Sequence, residues 1–126
     1  GYEALVLSTQ AGDVSSRDWW QTNPPAIEPE ALGWLAAKGV RHLLVDLPSV
    51  DPEEDGGALA AHRAFWGLPA QSTNGSDARY PQASITELIQ VPQNCAEGCY
   101  ELRLTLAPMQ GDAVPSRPIL FPLESL

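Results

Sequence analysis

The sequence predicts an α/β domain, a sheet flanked by helices, on three observations. Leu43, Leu44 and Val45 form a short unbroken apolar run, the pattern of a strand covered on both faces. Apolar strand, helix and apolar strand follow one another over residues 4–8, 29–38 and 42–46, the order of a βαβ unit. The helix between them is bracketed by Pro29, suited to the first helical position, and Gly39, suited to the position just past the end.

Taken in order, Ala-Leu-Val-Leu-Ser over residues 4–8 is apolar enough for a buried strand. Residues 13–25 are polar and irregular, and Trp19-Trp20 within them is expected to cover the core, since each ring carries a large apolar area. In the 29–38 helix, Glu28 and Glu30 suit the positive end of the dipole, and Lys38 falls in the last turn. Leu32, Leu35 and Ala36 recur at helical spacing. Asp46 follows the central apolar run where strand ends open onto crevices in α/β folds, and Pro48 then forbids further strand. Residues 57–65 read as a second helix, with Ala58, Ala61 and Phe65 near one face and Leu59 and His62 on another. A long loop rich in turn-forming residues follows over 67–82. Residues 85–89 are strand-like with Glu87 in the middle, and 100–106 alternate apolar with polar as a half-exposed strand does. A final strand over 119–123 is an edge strand, because Pro122 lacks an N–H for the ladder.

At 126 residues the chain reads as a single domain, 1–126, or a piece of a larger one. Hydrophobic content of 44% with 18% charged residues is that of a globular protein able to bury a core. A formal net charge of -9 argues against nucleic acid and against anionic membranes, both of which need a basic face. No apolar run reaches the roughly 18 residues of a membrane span, and Gly-Tyr-Glu-Ala-Leu at the start lacks the features of a secretory leader, so the expected location is the cytoplasm. Cys95 and Cys99 do not have zinc-finger spacing and are expected to be thiols in a reducing compartment.

Only two histidines occur, His42 and His62. Gly-x-Ser-x-Gly, Walker A and Gly-x-Gly-x-x-Gly patterns are missing, which removes support for serine hydrolase or nucleotide chemistry. Carboxylate and imidazole remain: Asp46, Asp51, Asp55, His62, Glu87 and Asp112. Such groups ligate catalytic zinc or manganese. Each also has a plainer use. His62 suits a helix surface, Glu87 a solvent-facing strand position, and Asp51 and Asp55 a turn or helix cap.

The stretch His42-Leu-Leu-Val-Asp-Leu-Pro-Ser-Val-Asp51, running on through Asp55-Gly-Gly-Ala-Leu-Ala-Ala-His62 to Phe65-Trp66, resembles the second half of the cyclase family, which includes the kynurenine formamidases. The likeness resumes at Ile85-Thr-Glu-Leu-Ile89, Gly98-Cys-Tyr-Glu-Leu-Arg-Leu and Asp112-Ala-Val-Pro-Ser-Arg-Pro118. It implies a swivelling α/β/α-type fold and a divalent metal, zinc or manganese, that activates water against a small amide or formamide. It implies that His62 and Glu87 are metal ligands, and that Asp46, Ser49 and Asp51 shape the turn beside the pocket. The family's His-x-Gly-Thr-His-x-Asp motif, with its proton-transferring histidine, belongs to the N-terminal half and does not occur here. The chain is therefore expected to be an incomplete C-terminal half. Its catalytic residues would come from a complementary N-terminal half. The alternative is a non-catalytic binding or assembly module, forming a homo-oligomer through surface meant for the other half.

Overall fold

The computed structural model describes residues 1–9 and 13–123. Two compact units divide the chain, Gly1–Val91 and Pro92–Leu126.

The first unit is built on a parallel three-stranded sheet in the order β1-β2-β3, with β1 at Ala4–Leu7, β2 at His42–Val45 and β3 at Ser84–Thr86. Its register pairs Leu5 with Leu43 and Leu7 with Val45 on one side, and Leu43 with Ile85 on the other. The apolar run thus lies in the middle strand, and Leu43, Leu44 and Val45 are all fully buried, as an all-apolar central strand should be. The first helix, α1 (Pro29–Ala37), buries Leu32 and Ala36 and leaves Trp34 exposed. It opens on Pro29 and is followed by Gly39 at φ +103°, a left-handed position that glycine tolerates without steric cost. The second helix, α2 (Ala60–Trp66), buries Ala61 and Phe65 and ends on Gly67 at φ +61°. Leu32, Ala36, Ala61 and Phe65 share one core with Leu43 and Val45, joined by Leu47 and Val50 from the turn after β2.

Two boundaries and one burial expectation in the first unit differ from what the sequence predicts. The second helix begins at Ala60 rather than residue 57, because Gly56, Gly57 and Leu59 all take positive φ and interrupt helical geometry. The strand expected over 85–89 is Ser84–Thr86 and stops before Glu87; Leu88 sits at φ +56° and turns the chain. Trp20 does not cover the core and is 76% exposed, whereas Trp19 is half-buried and donates its indole N–H to the Val14 carbonyl at 3.2 Å.

The second unit is an antiparallel pair, β4 (Tyr100–Leu106) and β5 (Ser116–Pro122), so the final strand starts three residues earlier than the sequence predicts and ends at Pro122. Tyr100, Leu102 and Leu104 take the more sheltered side of β4, as their alternation requires. Ile119 and Phe121 are 41% and 39% exposed, with the Arg103 guanidinium 4.6 Å from the Phe121 ring centre. No helix among the described residues is long and apolar enough to cross a membrane.

Candidate functional site

The chemistry-bearing residues of the first unit gather where β2 and β3 end and α2 begins. Asp51 lies in the connection from β2 to α2, and its side chain is 2% exposed. Ser49 shapes this connection, its hydroxyl oxygen accepting from the Asp51 N–H at 3.1 Å. The Asp51 carboxylate reaches the first turn of α2, where Oδ1 accepts from Ala61 N–H at 2.6 Å and Oδ2 from His62 N–H at 3.2 Å. It thereby serves helix N–H groups that have no partner within the helix. Asp51 Oδ2 also lies 2.6 Å from the His62 Nδ1 atom. The opposite ring nitrogen, Nε2, is 3.4 Å from Glu87 Oε1.

Glu87 reaches this point because it follows directly on β3, the neighbour of β2. Past it, Leu88 N–H donates to the Leu47 carbonyl and Ile89 N–H to the Val45 carbonyl, so the chain stays alongside the exit of β2. Glu87 Oε1 also accepts from Val50 N–H at 2.9 Å. His62 and Glu87 side chains are 16% and 27% exposed. Trp66, one helical turn beyond His62, sets its ring 5.4 Å from the imidazole, tilted by 49°, and anchors itself by donating its indole N–H to the Ala83 carbonyl. Sequence reasoning did not assign Trp66 a place beside the site; its i+4 spacing from His62 was the available signal.

The remaining candidates have other occupations. Asp46 is buried and accepts from Thr9 N–H, from the Thr9 hydroxyl at 2.8 Å and from the Ser8 hydroxyl at 3.2 Å, which ties the ends of β1 and β2 together. Asp55 accepts from Gly57 N–H at 2.7 Å and Leu59 N–H at 2.8 Å, holding the left-handed turn that leads into α2. Those bonds, Leu59's first, lower its pKa below the usual carboxylate value. His42 is used within the sheet, its Nδ1 atom 2.8 Å from the Ser84 hydroxyl of the paired strand. Asp112 is an exposed residue of the second unit, between β4 and β5. A cleft of about 200 Å³ is lined by Ile27, Glu28, Asp51, Asp55 and Ala60, and by neither His62 nor Glu87. Among the described residues, no three His, Cys, Asp or Glu side chains form a set that could hold a metal ion.

No family model matches the chain. It is 32% identical over 103 residues to the kynurenine formamidase of Bordetella pertussis, a match covering 81% of this chain and 42% of that protein. The kynurenine formamidase of Bordetella petrii is 34% identical over 112 residues, covering 88% of this chain and 46% of the relative. That of Erythrobacter litoralis is 34% identical over 109 residues, with 86% and 44% covered. The chain spans less than half the length of the curated relatives it matches. Through these matches, taken together, the chain is shown to be a cyclase-like relative of the kynurenine formamidases.

Proposed function

We propose that residues 1–126 correspond to the C-terminal half of a metal-dependent amidohydrolase that hydrolyses an amide or formamide, with His62 and Glu87 as metal ligands. The observation that carries this reading is the 3.4 Å approach of His62 Nε2 to Glu87 Oε1. That separation is longer than a good N–H···O hydrogen bond. It is also what two donors about 2.0–2.2 Å from one tetrahedral zinc would have, roughly 3.4 Å. An imidazole nitrogen and a carboxylate oxygen are a suitable donor pair for zinc or manganese. A catalytic site needs at least three protein ligands, so the other ligands and the proton-transferring base belong to a complementary N-terminal half. When bound, the metal would supply Lewis acidity, making water nucleophilic near neutral pH and polarising the carbonyl under attack.

The chain's own residues have narrower tasks in this proposal. Glu87 is steadied by Val50 N–H, Trp66 limits rotation of the His62 ring, and Ser49 and Asp51 fix the turn from which the site is reached. The swivelling α/β/α architecture belongs to the same proposal, as does a cytoplasmic location, which suits the free thiol of Cys95. One observation favours a second reading, a non-catalytic assembly module that forms a homo-oligomer. The second unit exposes Leu106, Met109, Ile119, Phe121 and Leu123.

Zinc and manganese titrations of the purified chain, alone and combined with an N-terminal half carrying His-x-Gly-Thr-His-x-Asp, test the proposal. Weak zinc binding by the chain alone is expected, abolished in His62→Ala and Glu87→Ala. Hydrolysis of an N-formyl aromatic amine is expected only in the combination. Zinc binding that survives both substitutions would overturn it.

A further inference from the structure

The Asp51 carboxylate faces three nitrogens: Ala61 N and His62 N of the backbone, and Nδ1 of the His62 ring. A carboxylate only accepts, and backbone N–H groups only donate, so all three contacts are satisfied together when Nδ1 carries a hydrogen. In a neutral imidazole the lone pair then lies on Nε2. That nitrogen faces Glu87 Oε1 at 3.4 Å, itself an acceptor already engaged by Val50 N–H. Two acceptors set face to face favour a species between them that is positively charged or donates hydrogen.

We infer that Asp51 is a positioning residue for His62: it fixes the Nδ1–H tautomer and aims the Nε2 lone pair at the side where Glu87 stands. This deepens the metal-ligand reading proposed above and rests on it. The same carboxylate closes the first turn of α2, so helix end and imidazole orientation are set by one group. Outer partners of this kind raise the ability of a histidine to hold a metal.

The test is long-range proton–nitrogen NMR on the full chain, histidine labelled with nitrogen-15, without metal at pH 8, above the ordinary imidazole range of about 6.5. His62→Gln distinguishes the two histidines. The expected spectrum has His62 protonated on Nδ1 alone. Protonation on Nε2, or on both nitrogens, overturns the inference. Asp51→Asn sharpens the test, since an amide offers one acceptor oxygen to three donors, and only the ring can change its protonation pattern. The variant is expected to move the hydrogen to Nε2 and to weaken zinc chloride binding 10- to 100-fold. A loss of stability in Asp51→Asn with the His62 nitrogen signature unchanged would show a helix cap and nothing more, and would overturn the inference. Should that variant not fold, the spectrum of the unmodified chain still decides. Zinc binding indifferent to His62→Ala, with the Nδ1–H tautomer observed, would sink the metal reading and leave the positioning role standing. The reverse pair of results would do the opposite.

Discussion

Asp46 is the candidate whose place in the fold most changes its meaning. A carboxylate at the mouth of a buried strand suggests a reactive group, yet it is 3% exposed and its oxygens are taken by Ser8 and Thr9. If it is a staple between the ends of β1 and β2, Asp46→Ala removes the acceptor of one backbone N–H and two hydroxyls. Ser8 and Thr9 are exposed, so their hydroxyls can turn to water and the losses sit at the low end of the hydrogen-bond range. At about 1 kcal/mol for each Thr9 bond, and less for the longer Ser8 bond, the variant should lose about 2–3 kcal/mol. Asp46→Asn keeps one acceptor, and hydroxyls can reverse to donate or accept, so it should lose about 1 kcal/mol. Urea unfolding at neutral pH measures both, with an unchanged slope expected. The melting temperature should fall by roughly 4–8 °C for each kcal/mol lost. The staple is refuted if Asp46→Ala stays within about 0.5 kcal/mol of the parent. It is refuted equally if Asp46→Asn keeps its stability and loses zinc.

Two further outcomes follow from the turns around α2. Gly67 combines φ +61° with a spot where an added Cβ would lie 2.9 Å from the Arg79 Cβ, while Gly57, at φ +77°, has open space. Gly57→Ala should cost about 1–2 kcal/mol from the left-handed backbone alone, and Gly67→Ala measurably more; equal thermal shifts would show that Arg79 yields freely. The Asp55 pKa is lowered from its unfolded value of 3.8 by N–H bonds from Leu59 and Gly57. A depressed folded-state value means that the stabilising contribution is present above the unfolded value and is lost as the pH falls through the folded one. Asp55→Asn should therefore lie below the parent in stability near neutral pH and converge on it below about pH 4, in unfolding curves taken across that range. A gap that stays constant with pH would argue against these bonds as its source.

Where composition alone decides an element, the sequence was sufficient. Leu43-Leu44-Val45 can be stable only with both faces covered, and Pro29 with Gly39 leaves little choice about the ends of α1. Alternation from Tyr100 to Leu106 likewise fixed β4 to the residue. Leu59 and Leu88 are the opposite case. Nothing in a leucine signals a left-handed backbone: the Leu59 N–H is held by the Asp55 carboxylate four residues back, and the Leu88 N–H by the distant Leu47 carbonyl. The site shows the same division. Residue type singled out Asp51, His62 and Glu87, but their convergence depends on β3 lying beside β2, and no local pattern carries strand order. Trp20 fails for a related reason, because apolar area says what burial would gain and not whether a surface is there to meet it.

The middle position of β2 has a consequence for how the chain acquires its shape. His42 pairs with Ser84, 42 positions later, so one edge of the most deeply buried strand finds its neighbour only after α2 and the loop beyond it have been made. At a synthesis rate of roughly 5–20 residues per second, that interval is about two to eight seconds. Throughout it Leu43, Leu44 and Val45 present an unpaired rail of backbone N–H and C=O groups, the kind of edge to which a second nascent chain can add. Side-by-side parallel pairing at such sequence separation is slow in any case, so newly made chains should depend on chaperones and on low concentration more than their modest length suggests.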